Sequence, residues 1–96
     1  MSSRWFRFYD EALDDPKVQR LPGEDFKAWV NMLALASKHG GQLPAIGDMA
    51  FALRMDEATC GTVVDRLRNA GLIDRRSGGV DGFYHAPHGW DKRQFK

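Results

Sequence analysis

A helix predicted over residues 57–69 presents polar side chains that suit recognition of a nucleic acid. Thr62 and Asn69 lie opposite its apolar stripe, and Arg66 flanks them. An asparagine can pair with an adenine edge through two hydrogen bonds, and an arginine can reach a guanine edge or a phosphate. Asp65 shares this face and opposes that use, because a carboxylate repels phosphate. An ordinary solvated face and a protein-contact helix therefore remain alternatives.

Further basic residues lie towards the end of the chain. Arg75 and Arg76 are adjacent and precede Ser-Gly-Gly at the predicted tip of a hairpin, where they can grip a phosphate backbone or enter a minor groove. The alternative is that they keep an exposed strand edge from aggregating. Lys92 and Arg93 either extend the same basic surface or belong to a solvated tail.

No catalytic, metal or cofactor site can be assembled from the sequence. His85 and His88 are three residues apart but have no third and fourth ligand at a recognisable spacing. Cys60 falls on an inward helix face, where it is expected to be a small buried hydrophobe. The acidic residues between 10 and 15 are too irregularly spaced for a calcium loop. We therefore predict a protein that is not an enzyme.

Residues 46–73 provide the framework that positions these side chains. Two apolar stripes repeat at helical spacing: Ile46, Met49, Ala50 and Leu53, then Cys60, Val63, Val64 and Leu67. Asp56 is placed to cap the second helix and Gly71 to end it. A strand begins at residues 72–73, residues 75–79 form a turn, and a second strand surrounds Phe83 and Tyr84. This order predicts a mainly α fold with a small β-sheet, specifically a winged helix-turn-helix.

The remaining segments complete one domain over residues 4–88. The aromatic-rich stretch 4–9 is expected to be an opening strand or an extended arm, and Pro16 to begin a brief helix. Residues 24–39 form the strongest helix, which we expect at the centre of the core. Residues 42–44 are expected to give a short strand that pairs with the hairpin. Residues 89–96 are expected to be a basic tail that begins a linker.

Composition sets the broad class of the protein. The chain has 96 residues and a net charge of +1, which is modest for a domain that binds DNA. The basic excess lies in residues 72–96, with five positive side chains against three negative. No apolar run is long enough to cross a bilayer, and the start lacks the apolar stretch of a signal peptide. With a single cysteine, a cytoplasmic location is expected.

The order of these motifs resembles a known family. Residues 5–9, 15–18, 43–73 and 90–95 are together similar to the amino-terminal winged-helix domains of phage and prophage replication-initiation proteins, the replisome organisers related to DnaD-like primosomal proteins. In that family the domain binds origin DNA or self-associates, and a linker leads to a second domain that engages replication proteins. The resemblance implicates Thr62, Arg66, Asn69, Arg75 and Arg76.

The expected function is non-catalytic binding of duplex DNA in a phage-type replication initiator. One alternative is a module for self-association, as a homodimer, or for contact with replication proteins, anchored by Trp5, Phe6, Phe8 and Trp90. Another is a transcriptional repressor, because a fold does not fix its biological role.

Overall fold

The computed structural model describes residues 5–94 and is mainly helical, with one small antiparallel sheet. The elements in chain order are a 3-10 helix (Asp10–Asp14), α1 (Pro16–Gln19), α2 (Gly23–Lys38), α3 (Ile46–Leu53), α4 (Glu57–Asn69), β1 (Ile73–Ser77), β2 (Phe83–Pro87) and α5 (Trp90–Gln94). The predicted combination of a helical body with a small sheet is confirmed at this level. None of the described helices is long and apolar enough to span a membrane.

Local chemistry explains where the helices begin and end. Pro16 occupies the first turn of α1, where its missing N–H costs nothing. Asp56 caps α4 by accepting hydrogen bonds from the backbone N–H of Thr59 at 3.0 Å and from its hydroxyl at 2.7 Å. Gly71 follows α4 with φ of 81°, a left-handed conformation that glycine adopts without strain. The predicted cap and stop of this helix are both confirmed.

The core forms where α2, α3 and α4 pack together. Both predicted apolar stripes face it, and the largest fully buried side chains include Met32, Met49, Val63, Val64 and Leu67. Cys60 is also fully buried, as expected for a small hydrophobe. This packing fixes α4 on the body, so that its other face lies at the surface.

The hairpin follows α4 directly. β1 and β2 pair antiparallel from Ile73 opposite Pro87 to Ser77 opposite Phe83, and residues 78–82 form the turn. Leu43 adds an isolated bridge by donating its N–H to the carbonyl of His85 at 2.8 Å. The pairing of residues 42–44 with the hairpin is therefore confirmed, as a single bridge.

The two ends of the described chain meet. Residues 5–9 form an extended arm without strand pairing, and Phe8 packs on Trp29 with ring centroids 5.8 Å apart. Gln94 of α5 accepts from the N–H of Arg7 at 2.9 Å and donates to its carbonyl at 3.1 Å. Residues 90–94, expected to be part of a basic tail, thus form a helix that contacts the arm.

Candidate nucleic-acid interface

The outer face of α4 carries Thr62 and Asn69 at the surface, where the sequence predicts them. The hydroxyl of Thr62 donates to the carbonyl of Ala58 at 3.1 Å, which leaves its oxygen free to accept from a ligand. The Asp65 side chain is 69% exposed on the same side, and its carboxylate lies 3.3 Å from Arg68. Small and polar groups thus dominate this face, and the charge of Asp65 is partly offset.

Arg66 has a partner that the sequence did not reveal. Its Nε donates to Oδ2 of Asp25 at 2.7 Å and its terminal nitrogen donates to Oδ1 at 2.9 Å, which makes a two-pronged pair between α4 and α2. Glu24 adds a second carboxylate 3.7 Å away. The hydrogen bond to Asp25 raises the pKa of Arg66 above its ordinary value. The guanidinium of Arg66 thus neutralises a carboxylate that is buried away from water, a structural role that the sequence did not predict.

Arg75 and Arg76 lie within β1 and not at the tip of the hairpin. Successive side chains of a strand point to opposite faces, so the two arginines do not act as one clamp. The guanidinium of Arg75 lies 3.9 Å from the ring centroid of Phe83. Arg76 instead approaches Asp74 at 3.6 Å and Asp91 of α5 at 4.0 Å. The turn extends to Gly82, which moves the tip beyond both positions.

A groove of about 200 Å³ separates α4 from the hairpin. Gly61 and Arg68 line it from α4, and Arg75, Phe83 and His85 line it from the hairpin. Burial lowers the pKa of His85, and the nearby charges of Arg68 and Arg75 lower it further, although Asp65 acts in the opposite direction. The groove therefore brings two cations together beside His85, and the carboxylate of Asp65, which also lines it, partly offsets their charge.

Lys92 and Arg93 lie on α5 and not in this groove. Lys92 is exposed and has no ion pair within residues 5–94, whereas Arg93 lies 3.7 Å from Glu11. Arg76 approaches Asp91 of α5, so Arg76, Lys92 and Arg93 all lie where the hairpin meets α5. The predicted basic residues are thus divided between two surfaces.

His88 lies beside an acidic side chain of β1. Nδ1 of His88 lies 3.0 Å from both carboxylate oxygens of Asp74. Within residues 5–94 no three histidine, cysteine or acidic side chains come together as metal ligands. Burial, reinforced by the charge of Glu57, raises the pKa of the Cys60 thiol, which keeps it protonated at neutral pH.

Two of the aromatic residues considered as interface anchors contact the body of this protein. Trp90 packs against the core, and the ring of Phe8 lies on Trp29. Trp5 is 73% exposed and remains at the surface.

Comparison with protein-family models, with curated proteins and with solved structures gives no match to this chain. Its function is therefore argued from its own residues.

Proposed function

We propose that this chain is a winged-helix domain that binds duplex DNA without catalysis. The observation that carries the proposal is the groove between α4 and the hairpin, where Arg68 and Arg75 lie beside the small, polar outer face of α4. In this arrangement α4 enters the major groove and the two arginines contact phosphates on one side of it. Thr62 and Asn69 are the side chains positioned to reach base edges.

The remaining basic residues have lesser roles in this proposal. Arg66 contributes by fixing α4 on α2 through Asp25. Arg76, Lys92 and Arg93 lie towards α5, where they add a weak long-range attraction for DNA. Because few phosphates are contacted, one copy binds weakly and its affinity falls with salt by a modest slope.

Two arginines of one strand provide a matched test. Binding of Arg75→Ala and Arg76→Ala to a duplex of mixed sequence is measured by fluorescence anisotropy at several salt concentrations. Loss of one phosphate contact makes the slope of log affinity against log salt shallower by about 0.9. We expect this change for Arg75→Ala and a much smaller one for Arg76→Ala. Equal behaviour of both variants and the parent would refute the proposed orientation.

The resemblance to replication-initiation domains suggests the biological setting. We propose that the DNA site lies in a replication origin, because the similar segments include residues 5–9, 43–73 and 90–95. Footprinting across the genome that encodes the chain distinguishes the alternatives: protection confined to promoters would instead identify a transcriptional repressor.

A further inference from the structure

A second groove lies between α2 and the end of α3 and shares no lining residue with the groove beside the hairpin. It encloses about 380 Å³, and its apolar floor includes Ala34, Leu35 and Leu53. Lys27, Lys38 and Arg54 surround this floor. We refer to it as the basic groove.

The charges of the basic groove are not compensated. Within residues 5–94, Lys27, Lys38 and Arg54 make no ion pair, and no acidic side chain lines the groove. Three like charges around an apolar floor repel one another, and the floor itself is exposed to water. An occupant that combines carboxylates with an aliphatic side chain would reduce both the repulsion and the exposed apolar surface. Duplex DNA supplies the negative charge but offers nothing aliphatic of comparable size to the floor.

The same chain presents an occupant of this chemistry. The 3-10 helix Asp10–Asp14, which we call the acidic segment, exposes 73% of Leu13. Asp10 and Asp14 flank that leucine, are exposed, and have no ion pair within residues 5–94. No residue of the acidic segment lines the basic groove of its own chain.

We propose that the acidic segment of one copy docks into the basic groove of a second copy. Leu13 covers the apolar floor while Asp10 and Asp14 pair with the surrounding cations. The two surfaces differ, so a contact repeated in one direction builds rings or filaments, whereas a reciprocal pair of contacts closes a two-fold dimer. A five-residue segment buries less than the roughly 1,200 Å² of a stable interface, so assembly is weak and depends on concentration. This inference does not rest on DNA binding.

Charge exchange tests this contact. Sedimentation velocity at rising protein concentration and low salt should show association of the parent. Asp10→Lys/Asp14→Lys and Lys27→Glu/Lys38→Glu should each raise the apparent dissociation constant by about tenfold or more. The fourfold variant that carries both pairs restores opposite charges across the contact, and we expect it to associate like the parent.

A matched control separates this contact from net charge. Asp10→Lys/Asp14→Lys combined with Lys17→Glu/Arg20→Glu keeps the parent's net charge of +1 but leaves like charges across the contact. We expect this variant to stay monomeric, and circular dichroism confirms that each variant is folded. A monomeric parent, failure of the charge-exchanged variant to associate, or association of the control would each overturn the proposal. So would a loss of DNA affinity in Lys27→Glu/Lys38→Glu without any change in association.

Discussion

The Asp25 carboxylate is fully buried at the start of α2, and its charge is tolerated because Arg66 reaches it from α4. The pair is asymmetric, since 44% of the Arg66 side chain remains exposed while the carboxylate is hidden. Removing one partner should therefore cost more stability than removing the other. Without Asp25 the guanidinium can turn to water, whereas without Arg66 the carboxylate is left unpaired in the interior.

This asymmetry predicts the order of two substitutions. Arg66→Ala should destabilise the fold more than Asp25→Ala, because the stranded Asp25 carboxylate costs on the order of 3 kcal/mol. Urea unfolding of both single variants and of the double variant measures the effect. The double variant should be more stable than Arg66→Ala alone, since it removes the unpaired charge. A double variant less stable than either single one would show that packing, and not charge, is the main contribution of these side chains.

The capping interaction of Asp56 should make the stability of the fold depend on pH. Hydrogen bonds from the side chain and backbone of Thr59 lower the pKa of Asp56, so its ionised form stabilises the fold above its unfolded pKa. That contribution is lost as the pH falls through the lower folded pKa. Asp56→Ala should therefore lower the urea midpoint at pH 7 and have a smaller effect at pH 2.5. Asp56→Asn keeps an accepting oxygen and serves as the control; a loss for Asp56→Ala that is equal at both pH values would rule out the charge as the cause.

At the scale of single elements, two glycines of the α4 region predict opposite outcomes. Gly61 lies within α4 and a Cβ there would meet nothing within 4 Å, so Gly61→Ala should stabilise the fold by roughly 0.5–1 kcal/mol. Gly71 has a φ of 81°, so Gly71→Ala should cost roughly 1–2 kcal/mol. Thermal unfolding of both variants measures these changes. Destabilisation by Gly61→Ala would contradict this, because it would mean that another part of the chain packs closely against the backbone of α4 at Gly61.

Helices and turns were predictable where their causes are local. The apolar stripes of α3 and α4, the cap at Asp56 and the stop at Gly71 each depend on residues a few positions apart, and all are confirmed. The partner of Arg66 was not predictable, because Asp25 lies 41 positions away along the chain. The position of Arg75 depended on the length of the turn, and Ser-Gly-Gly indicated an earlier turn than the one that ends at Gly82.

The short helix α5 shows a second limit of local reasoning. It spans only five residues, too few for a periodic pattern, and its hydrogen bonds to the arm join residues more than 80 positions apart in the sequence. The basic groove was likewise unpredictable, because it requires the relative placement of α2 and α3. Sequence patterns identify which face of a helix is apolar but not which neighbour lies beside its polar face.

At the scale of the whole molecule, the two proposed functional surfaces have no lining residue in common. The groove for DNA lies between α4 and the hairpin, and the basic groove lies between α2 and α3. The proposed association through the second groove uses none of the residues that line the first. Several weak DNA contacts in one assembly then reinforce each other through effective concentration, which suits a chain with a net charge of only +1.

The hydrogen bonds between α5 and the arm support a last prediction, about the local stability of the arm. Gln94 makes both of its hydrogen bonds to the backbone of Arg7, and the hydroxyl of Tyr9 donates to the carbonyl of Arg93 at 2.8 Å. No residue of the arm is fully buried, and only Phe6 and Arg7 are partly buried, so we expect the arm to open separately from the core. Gln94→Ala should accelerate amide hydrogen exchange in residues 6–9 while protection in α2 and α4 stays at the parent level. Lys92→Ala, an exposed position of the same helix, is the control and should change neither. Equal loss of protection in the arm and in α4 would show that the arm and core open as one cooperative unit.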